Sequence, residues 1–189
     1  MDIETISLCE NDISDQGVSL VQAVLESGRW GDGPMLESFE QGFARWVGRR
    51  YAVAVGSGTL GTWIVLRAMG IGPGDEVICA SHTWHQVAQA ITLAGATPVF
   101  ADINYWTGCL SPEKAALKIT PATRAILAGN TNGHPAAWKA LRELADAHGL
   151  KLIEDSTEAL GSRYLGRNVG TFGDAVSYTH LTLPTSGRA

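Results

Sequence analysis

A regular alternation of short apolar runs with helical patterns constrains this fold more than any other feature of the sequence. Six segments of four or five residues are typical of buried strands, and most gaps between them carry apolar residues at helical spacing. The predicted strands are Tyr51–Val55, Glu76–Cys79, Thr97–Ala101, Arg124–Leu127, Leu150–Ile153 and Ala175–Tyr178, and the predicted helices between them are Leu60–Met69, Gln86–Ala94, Pro112–Lys118 and Trp138–His148. Strands separated by helices imply βαβ units, so the sequence predicts an α/β fold with a mostly parallel sheet.

The residues before the first predicted strand are expected to form a helical segment, residues 1–48. Ser14 can cap a helix over Asp15–Ser27, and Pro34 suits the first turn of a second helix that ends at Gly48.

The stretch from Lys151 to Gly161 carries the carboxylate that is best placed to meet a ligand. Glu154 and Asp155 follow the predicted strand Leu150–Ile153 directly. In open α/β sheets ligands bind beyond the carboxyl ends of the strands, so Asp155 is a candidate ligand contact. The alternative is a solvated aspartate at the end of a strand.

The turn Gly56–Gly61 lies between a predicted strand and a predicted helix. Its glycines let the backbone approach a phosphate, and a helix start offers free N–H donors. The turn also matches the dinucleotide pattern G-x-G-x-x-G, which requires an acidic residue at the end of the next strand. Asp75 and Glu76 open that strand instead, so the sequence argues against a dinucleotide site.

Two further turns are polar enough to face a ligand. Trp84, in the turn Ser81–His85, could lie flat over an aromatic ligand or close the edge of the core. His82 and His85 lie three residues apart, but no carboxylate or cysteine completes a metal set, so no metal site is predicted. The turn Gly129–Pro135 either faces the same ligand or is a plain connection.

Composition excludes some classes of function. The chain has 14 basic and 19 acidic residues, and its net charge of −5 argues against nucleic-acid binding. No apolar run reaches membrane-spanning length, and the acidic N-terminus does not resemble a signal peptide. Three cysteines without metal spacing are typical of reduced thiols, so a cytoplasmic protein is expected.

A series of motifs in order resembles a known family. They are Gly56-Ser57-Gly58-Thr59, Gly74-Asp75-Glu76-Val77-Ile78, His82-Thr83-Trp84, Gly95-Ala96-Thr97-Pro98-Val99-Phe100, Gly133-His134-Pro135-Ala136, Glu154-Asp155 and Gly170-Thr171-Phe172-Gly173-Asp174. From about Ser14 to Val176 the chain is similar to the N-terminal half of the DegT/StrS-type sugar aminotransferases, which are pyridoxal-phosphate enzymes of fold type I. The resemblance implies a truncated three-layer large domain with helices on both faces of the sheet, whose cofactor-binding portion is residues 49–176.

The resemblance also implies a role for each candidate site residue. Gly58, Thr59 and the amide of Leu60 would hold the phosphate of the cofactor, and Trp84 would stack on its pyridine ring. Asp155 would be the catalytic residue that pairs with the ring nitrogen. A last residue, Glu158, falls where relatives often carry glutamine near the ring hydroxyl.

The sequence departs from the family after Val176. No lysine follows Lys151, and Pro184 stands where the family carries the lysine that binds the cofactor covalently. Residues 177–189 are therefore expected to be a non-native tail, and the C-terminal small domain is expected to be absent.

The resemblance implies a transaminase that moves an amino group from an amino-acid donor to a keto-sugar nucleotide and works as a homodimer when complete. This chain is expected to be an inactive fragment of it. One alternative is a sugar dehydratase on the same scaffold, in which histidine replaces the lysine, although His180 lies four positions early. A non-catalytic module that binds pyridoxal phosphate or phosphate, and a fragment that binds nothing, are also compatible with the sequence.

Overall fold

A parallel sheet between two layers of helices forms the centre of the fold, in a computed structural model that describes residues 13–178. The α/β prediction is confirmed. The helices are α1 (Asp15–Ser27), α2 (Pro34–Val47), α3 (Gly58–Ala68), α4 (His85–Leu93), α5 (Pro112–Ala116) and α6 (Trp138–His148). The strands are β1 (Glu76–Ala80), β2 (Thr97–Ala101), β3 (Thr123–Gly129), β4 (Lys151–Asp155), β5 (Arg163–Tyr164), β6 (Arg167–Asn168) and β7 (Ala175–Ser177).

Five of the strands form one sheet in the order β2-β1-β3-β4-β7, and every neighbouring pair is parallel. Asp155, the last residue of β4, pairs with Gly129 of β3 on one side and with Ser177 of β7 on the other. The carboxyl ends of three adjacent strands therefore meet at one edge, which is where ligands bind in sheets of this kind.

Alternation along the strands divides the core between the two faces of the sheet. On one face Val77, Leu127 and Ile153 pack with residues of α3 and α4. On the other face Ile78, Ile126 and Leu152 pack with residues of α5 and α6. The expected arrangement of helices on both faces is confirmed, since successive buried residues of the central strands pack against opposite helix layers.

The predicted strand Tyr51–Val55 is wrong. Its backbone pairs with no strand in the described part of the chain, and Tyr51 and Val53 are 72% and 77% exposed. The amide of Ala54 instead donates to the carboxylate of Glu40 at 2.8 Å. An apolar run such as this one becomes a strand only where its backbone meets a neighbouring strand, and its composition does not supply that neighbour.

Residues 13–39 and residues 40–178 fall into separate compact units. In the first unit, Ser14 accepts a hydrogen bond from the amide of Gly17, and Gly28 ends α1 with a φ of 68°. Both helix ends agree with the sequence prediction. The predicted domain boundary at residue 48 stays a prediction. Of the predicted tail, residues 177–189, the part from residue 179 onward lies outside the described residues.

No helix within residues 13–178 is long and apolar enough to cross a membrane.

Candidate active site

A cavity of about 370 Å³ opens at the edge where β3 and β4 end. Three segments line it, namely residues 82–85, residues 129–132 and, from the end of β4 onward, the three residues Asp155, Thr157 and Glu158. The second and third predicted turns and Asp155 therefore come together, although they lie far apart in the sequence. A volume of this size is in the range of small-molecule sites.

Asp155 is the buried charge of this cavity, with 8% of its surface exposed. Burial raises the pKa of Asp155, hydrogen bonds from Thr157 oppose that effect, and the nearby carboxylates of Glu158 and Glu154 add to it. The amide of Thr157 donates to Oδ1 at 3.0 Å. Among residues 13–178 no lysine or arginine forms an ion pair with Asp155. The site thus holds a carboxylate that would gain from a cationic or N–H donor ligand.

Trp84 and Glu158 meet across the cavity. Trp84 precedes the first residue of α4, and its indole N–H donates to Oε1 of Glu158. The other carboxylate oxygen, Oε2, accepts the amide of Asn132 at 2.9 Å. Trp84 is 55% exposed, so its ring remains open to a ligand.

The turn that contains Asn132 has an unusual backbone. Asn132 and Gly133 have φ values of 50° and 79°, in the left-handed region that asparagine and glycine tolerate best. The hydroxyl of Ser162 donates to the carbonyl of Gly133 at 2.8 Å, and that of Thr131 donates to the carbonyl of Gly108 at 3.2 Å. Both contacts fix this wall of the cavity to other parts of the chain.

The start of α3 lies at the same edge of the sheet but does not line the cavity. A Cβ on Gly61 would come within 3.5 Å of the hydroxyl of Ser177, which pairs with Asp155 in the sheet. The amide of Leu60 donates to Oγ of Ser57 at 3.2 Å. Gly58 and Thr59 are the first two residues of α3, so their amides have no acceptor within the helix.

Sequence reasoning did not single out Asn130, which belongs to the cavity lining and is only 2% exposed. Its side-chain amide donates to Glu154 at 3.0 Å and to Ser156 at 2.9 Å. Its side-chain oxygen accepts the amide of Ala136 at 2.9 Å and the indole N–H of Trp138 at 2.8 Å. All four hydrogen-bonding positions are used, so the network holds the Asn130 side chain in one orientation.

Glu154 lies on the opposite face of β4 from Asp155 and is fully buried. Its carboxylate accepts backbone amides of the loop before β7, from Gly170, from Phe172 at 3.1 Å and from Gly173 at 3.4 Å. Arg49 holds the same loop through carbonyls, donating to Gly170 and Gly173 at 2.6 Å each. The alternation of Glu154 and Asp155 at the end of a buried strand was the signal that could have revealed this support.

His82 and His85 line the cavity, and no cluster of three or more metal-ligating side chains occurs among residues 13–178.

Comparison with known proteins gives consistent matches. The model of the DegT/DnrJ/EryC1/StrS aminotransferase family matches residues 11–181. The dTDP-3-amino-3,4,6-trideoxy-alpha-D-glucose transaminase of Streptomyces venezuelae is 44% identical over 159 residues, which are 84% of this chain and 42% of that protein.

Two solved structures are similar to this chain in three dimensions as well as in sequence. DesV of S. venezuelae, in complex with a ketimine intermediate, has a TM-score of 0.80 and 46% identity over 81% of this chain and 41% of its own. NtdA of Bacillus subtilis with bound cofactor PMP has a TM-score of 0.74 and 34% identity over 82% of this chain and 36% of its own. The chain therefore spans less than half of the length of each of these relatives.

Proposed function

Because the chain belongs to the DegT/DnrJ/EryC1/StrS aminotransferase family, we propose that its cavity is the pyridoxal-phosphate pocket of a sugar aminotransferase. The buried carboxylate of Asp155, which has no cationic partner among the described residues, is the observation that carries the proposal. A protonated pyridine nitrogen is a cation with one N–H donor, and it fits such a site. When bound, the cofactor supplies an aromatic ring that accepts electrons from the reacting carbon.

Four of the predicted site residues have a direct role in the proposal. Asp155 accepts the proton of the ring nitrogen in a charge-assisted hydrogen bond and keeps that nitrogen protonated. Trp84 offers its exposed face to the ring. Gly58, Thr59 and the start of α3 hold the phosphate, since free amides and the helix dipole favour an anion there.

For the complete protein we propose a transamination, the class of reaction that the name of the S. venezuelae relative gives. An amino acid is the proposed donor and a keto-sugar nucleotide the proposed acceptor. A homodimer in the cytoplasm is the proposed setting. In this chain the cofactor is held without a covalent bond, because the lysines Lys114, Lys118, Lys139 and Lys151 do not line the cavity. Lys151 opens β4, at the opposite end from Asp155.

A titration with pyridoxamine 5′-phosphate tests the proposal, since this form of the cofactor needs no lysine. We expect saturable binding at one site per chain, observed as quenching of tryptophan fluorescence. The Trp84→Phe variant should lose most of that quenching and bind roughly 2- to 10-fold more weakly, because phenylalanine keeps a smaller aromatic face.

Trp106→Phe is the matched control, because Trp106 is 87% exposed and lies outside the cavity lining. It should leave both affinity and quenching unchanged. A wild-type chain that shows no saturable response, or equal losses in the two variants, would remove the cofactor from this cavity.

A second measurement addresses the lysines. After incubation with pyridoxal 5′-phosphate and reduction by borohydride, peptide mapping is expected to find no stoichiometric adduct on any of the four lysines. A full adduct on one of them would contradict the non-covalent site.

A further inference from the structure

Glu158 joins two separate walls of the cavity through one carboxylate. One oxygen accepts the indole N–H of Trp84, and the other accepts the backbone amide of Asn132. Trp84 stands at the start of α4 and Asn132 in the turn after β3. Trp84 and Asn132 lie 74 and 26 residues from Glu158 in the sequence. The two hydrogen bonds therefore hold distant segments of the chain together.

The Trp84 end of this bridge needs a support. The indole is more than half exposed, and Trp84 makes no side-chain capping bond to α4. An exposed tryptophan can occupy several rotamers, and a hydrogen bond to its N–H removes most of that freedom. The contact to Glu158 therefore selects one orientation of the ring over the cavity.

The Asn132 end of the bridge is already rigid. The carbonyl of Gly133 accepts from Ser162, and Thr131 donates to Gly108. Glu158 thus connects a fixed backbone position to an exposed side chain. No lysine or arginine forms an ion pair with Glu158 within residues 13–178. The two N–H donors therefore stabilise its negative charge.

We propose that Glu158 is a positioning residue, which sets the ring plane of Trp84 for the incoming cofactor and acts on the cofactor through Trp84. This inference rests on the proposed function for its ligand, while the orientation of Trp84 is a property of the chain alone. A glutamine at this position has one carbonyl oxygen for two donors, so it can keep one arm of the bridge and leaves the other facing an NH₂ group.

The orientation is tested without ligand by ¹H–¹⁵N spectra of the tryptophan side chains. The chain has six tryptophans, and the signal that disappears in Trp84→Phe belongs to Trp84. In Glu158→Ala this indole proton should move upfield and broaden, while the other five signals stay in place and report an intact fold. Glu158→Gln should give an intermediate shift, and Glu143→Ala, an exposed glutamate of α6, should give none.

A double-variant cycle tests the route to the ligand. Glu158→Ala should weaken pyridoxamine 5′-phosphate binding by about 3- to 10-fold in the wild-type background and by less than about 2-fold in the Trp84→Phe background. An equal loss in both backgrounds would show that Glu158 contacts the ligand directly, and would overturn the proposal.

The two failures are distinguishable. An unmoved Trp84 signal in Glu158→Ala would overturn the positioning role whatever the ligand does. A signal that moves in a chain without affinity for pyridoxamine 5′-phosphate would support the positioning of Trp84 and overturn the proposed function.

Discussion

Replacing Glu154 by alanine is expected to destabilise the chain by about 4 kcal/mol or more, which is enough to unfold many domains of this size. The carboxylate is fully buried and accepts from Asn130, from Ser156 and from three backbone amides of residues 170–173. A buried donor left without an acceptor costs roughly 1–3 kcal/mol, and several donors lose their acceptor at once.

Urea unfolding, followed by circular dichroism, measures the effect. Glu154→Leu should be as damaging as Glu154→Ala, because leucine fills the space and keeps out the water that could rescue the donors in the alanine variant. The control is Glu143→Ala on the exposed side of α6, where a change within about 0.5 kcal/mol is expected. A loss below about 1 kcal/mol in both Glu154 variants would contradict the role of the carboxylate as the acceptor that holds the loop.

The effect should reach the cavity through Asn130. Its side-chain amide donates to Glu154, while its oxygen holds the amide of Ala136 and the indole of Trp138. Without Glu154 the amide loses one of its two acceptors, and the segment 129–132 that lines the cavity loses one of its supports.

The sequence predicted those parts of the fold whose cause is local. The bounds of α1 and α6 agree because a capping serine at Ser14 and a left-handed glycine at Gly149 act on neighbouring residues. Strands β1 to β4 agree to within two residues. In β1, β3 and β4 the reason is burial on both faces, which selects continuous apolar runs. Asp155 could be placed at the ligand-facing edge from its position after such a run.

The remaining features depend on contacts between distant residues. Tyr51–Val55 has a strand composition, but pairing decides whether a strand forms. The hairpin of β5 and β6 turns at Leu165 with a φ of 48°, and leucine gives no signal for a turn of that kind. The hydrogen bonds of Asn130 and of Glu158 connect segments that are distant in the sequence. Their partners come within reach only when the sheet has assembled.

Asp155→Asn is expected to change stability and ligand binding in opposite directions. Burial raises the pKa of Asp155 in the folded chain above its ordinary value of 3.8. The folded state therefore binds the proton more tightly than the unfolded state, and stability falls as the pH rises from the unfolded pKa through the raised folded pKa. Above that folded pKa the wild-type chain bears the full penalty of a buried carboxylate, whereas asparagine does not titrate. We expect Asp155→Asn to be more stable by about 1 kcal/mol at pH 7 and nearly equal to wild type below the unfolded pKa.

The same substitution should weaken pyridoxamine 5′-phosphate binding by roughly 10- to 100-fold, since a hydrogen bond between charged groups contributes about 1.5–3 kcal/mol. Asparagine can still accept the amide of Thr157, so the backbone beside the cavity is not expected to change. Thermal unfolding at several pH values, with and without the ligand, measures both effects on one sample. Asp146→Asn on α6, where the carboxylate is exposed and paired with Arg142, should show neither effect beyond about 0.5 kcal/mol. If Asp155→Asn were less stable at pH 7, or bound the ligand as tightly as wild type, Asp155 would not be the residue that holds a cationic ring. The opposite signs follow from one physical cause. The buried carboxylate destabilises the empty site, where it has no cationic partner, and stabilises the occupied site, where the ligand supplies one.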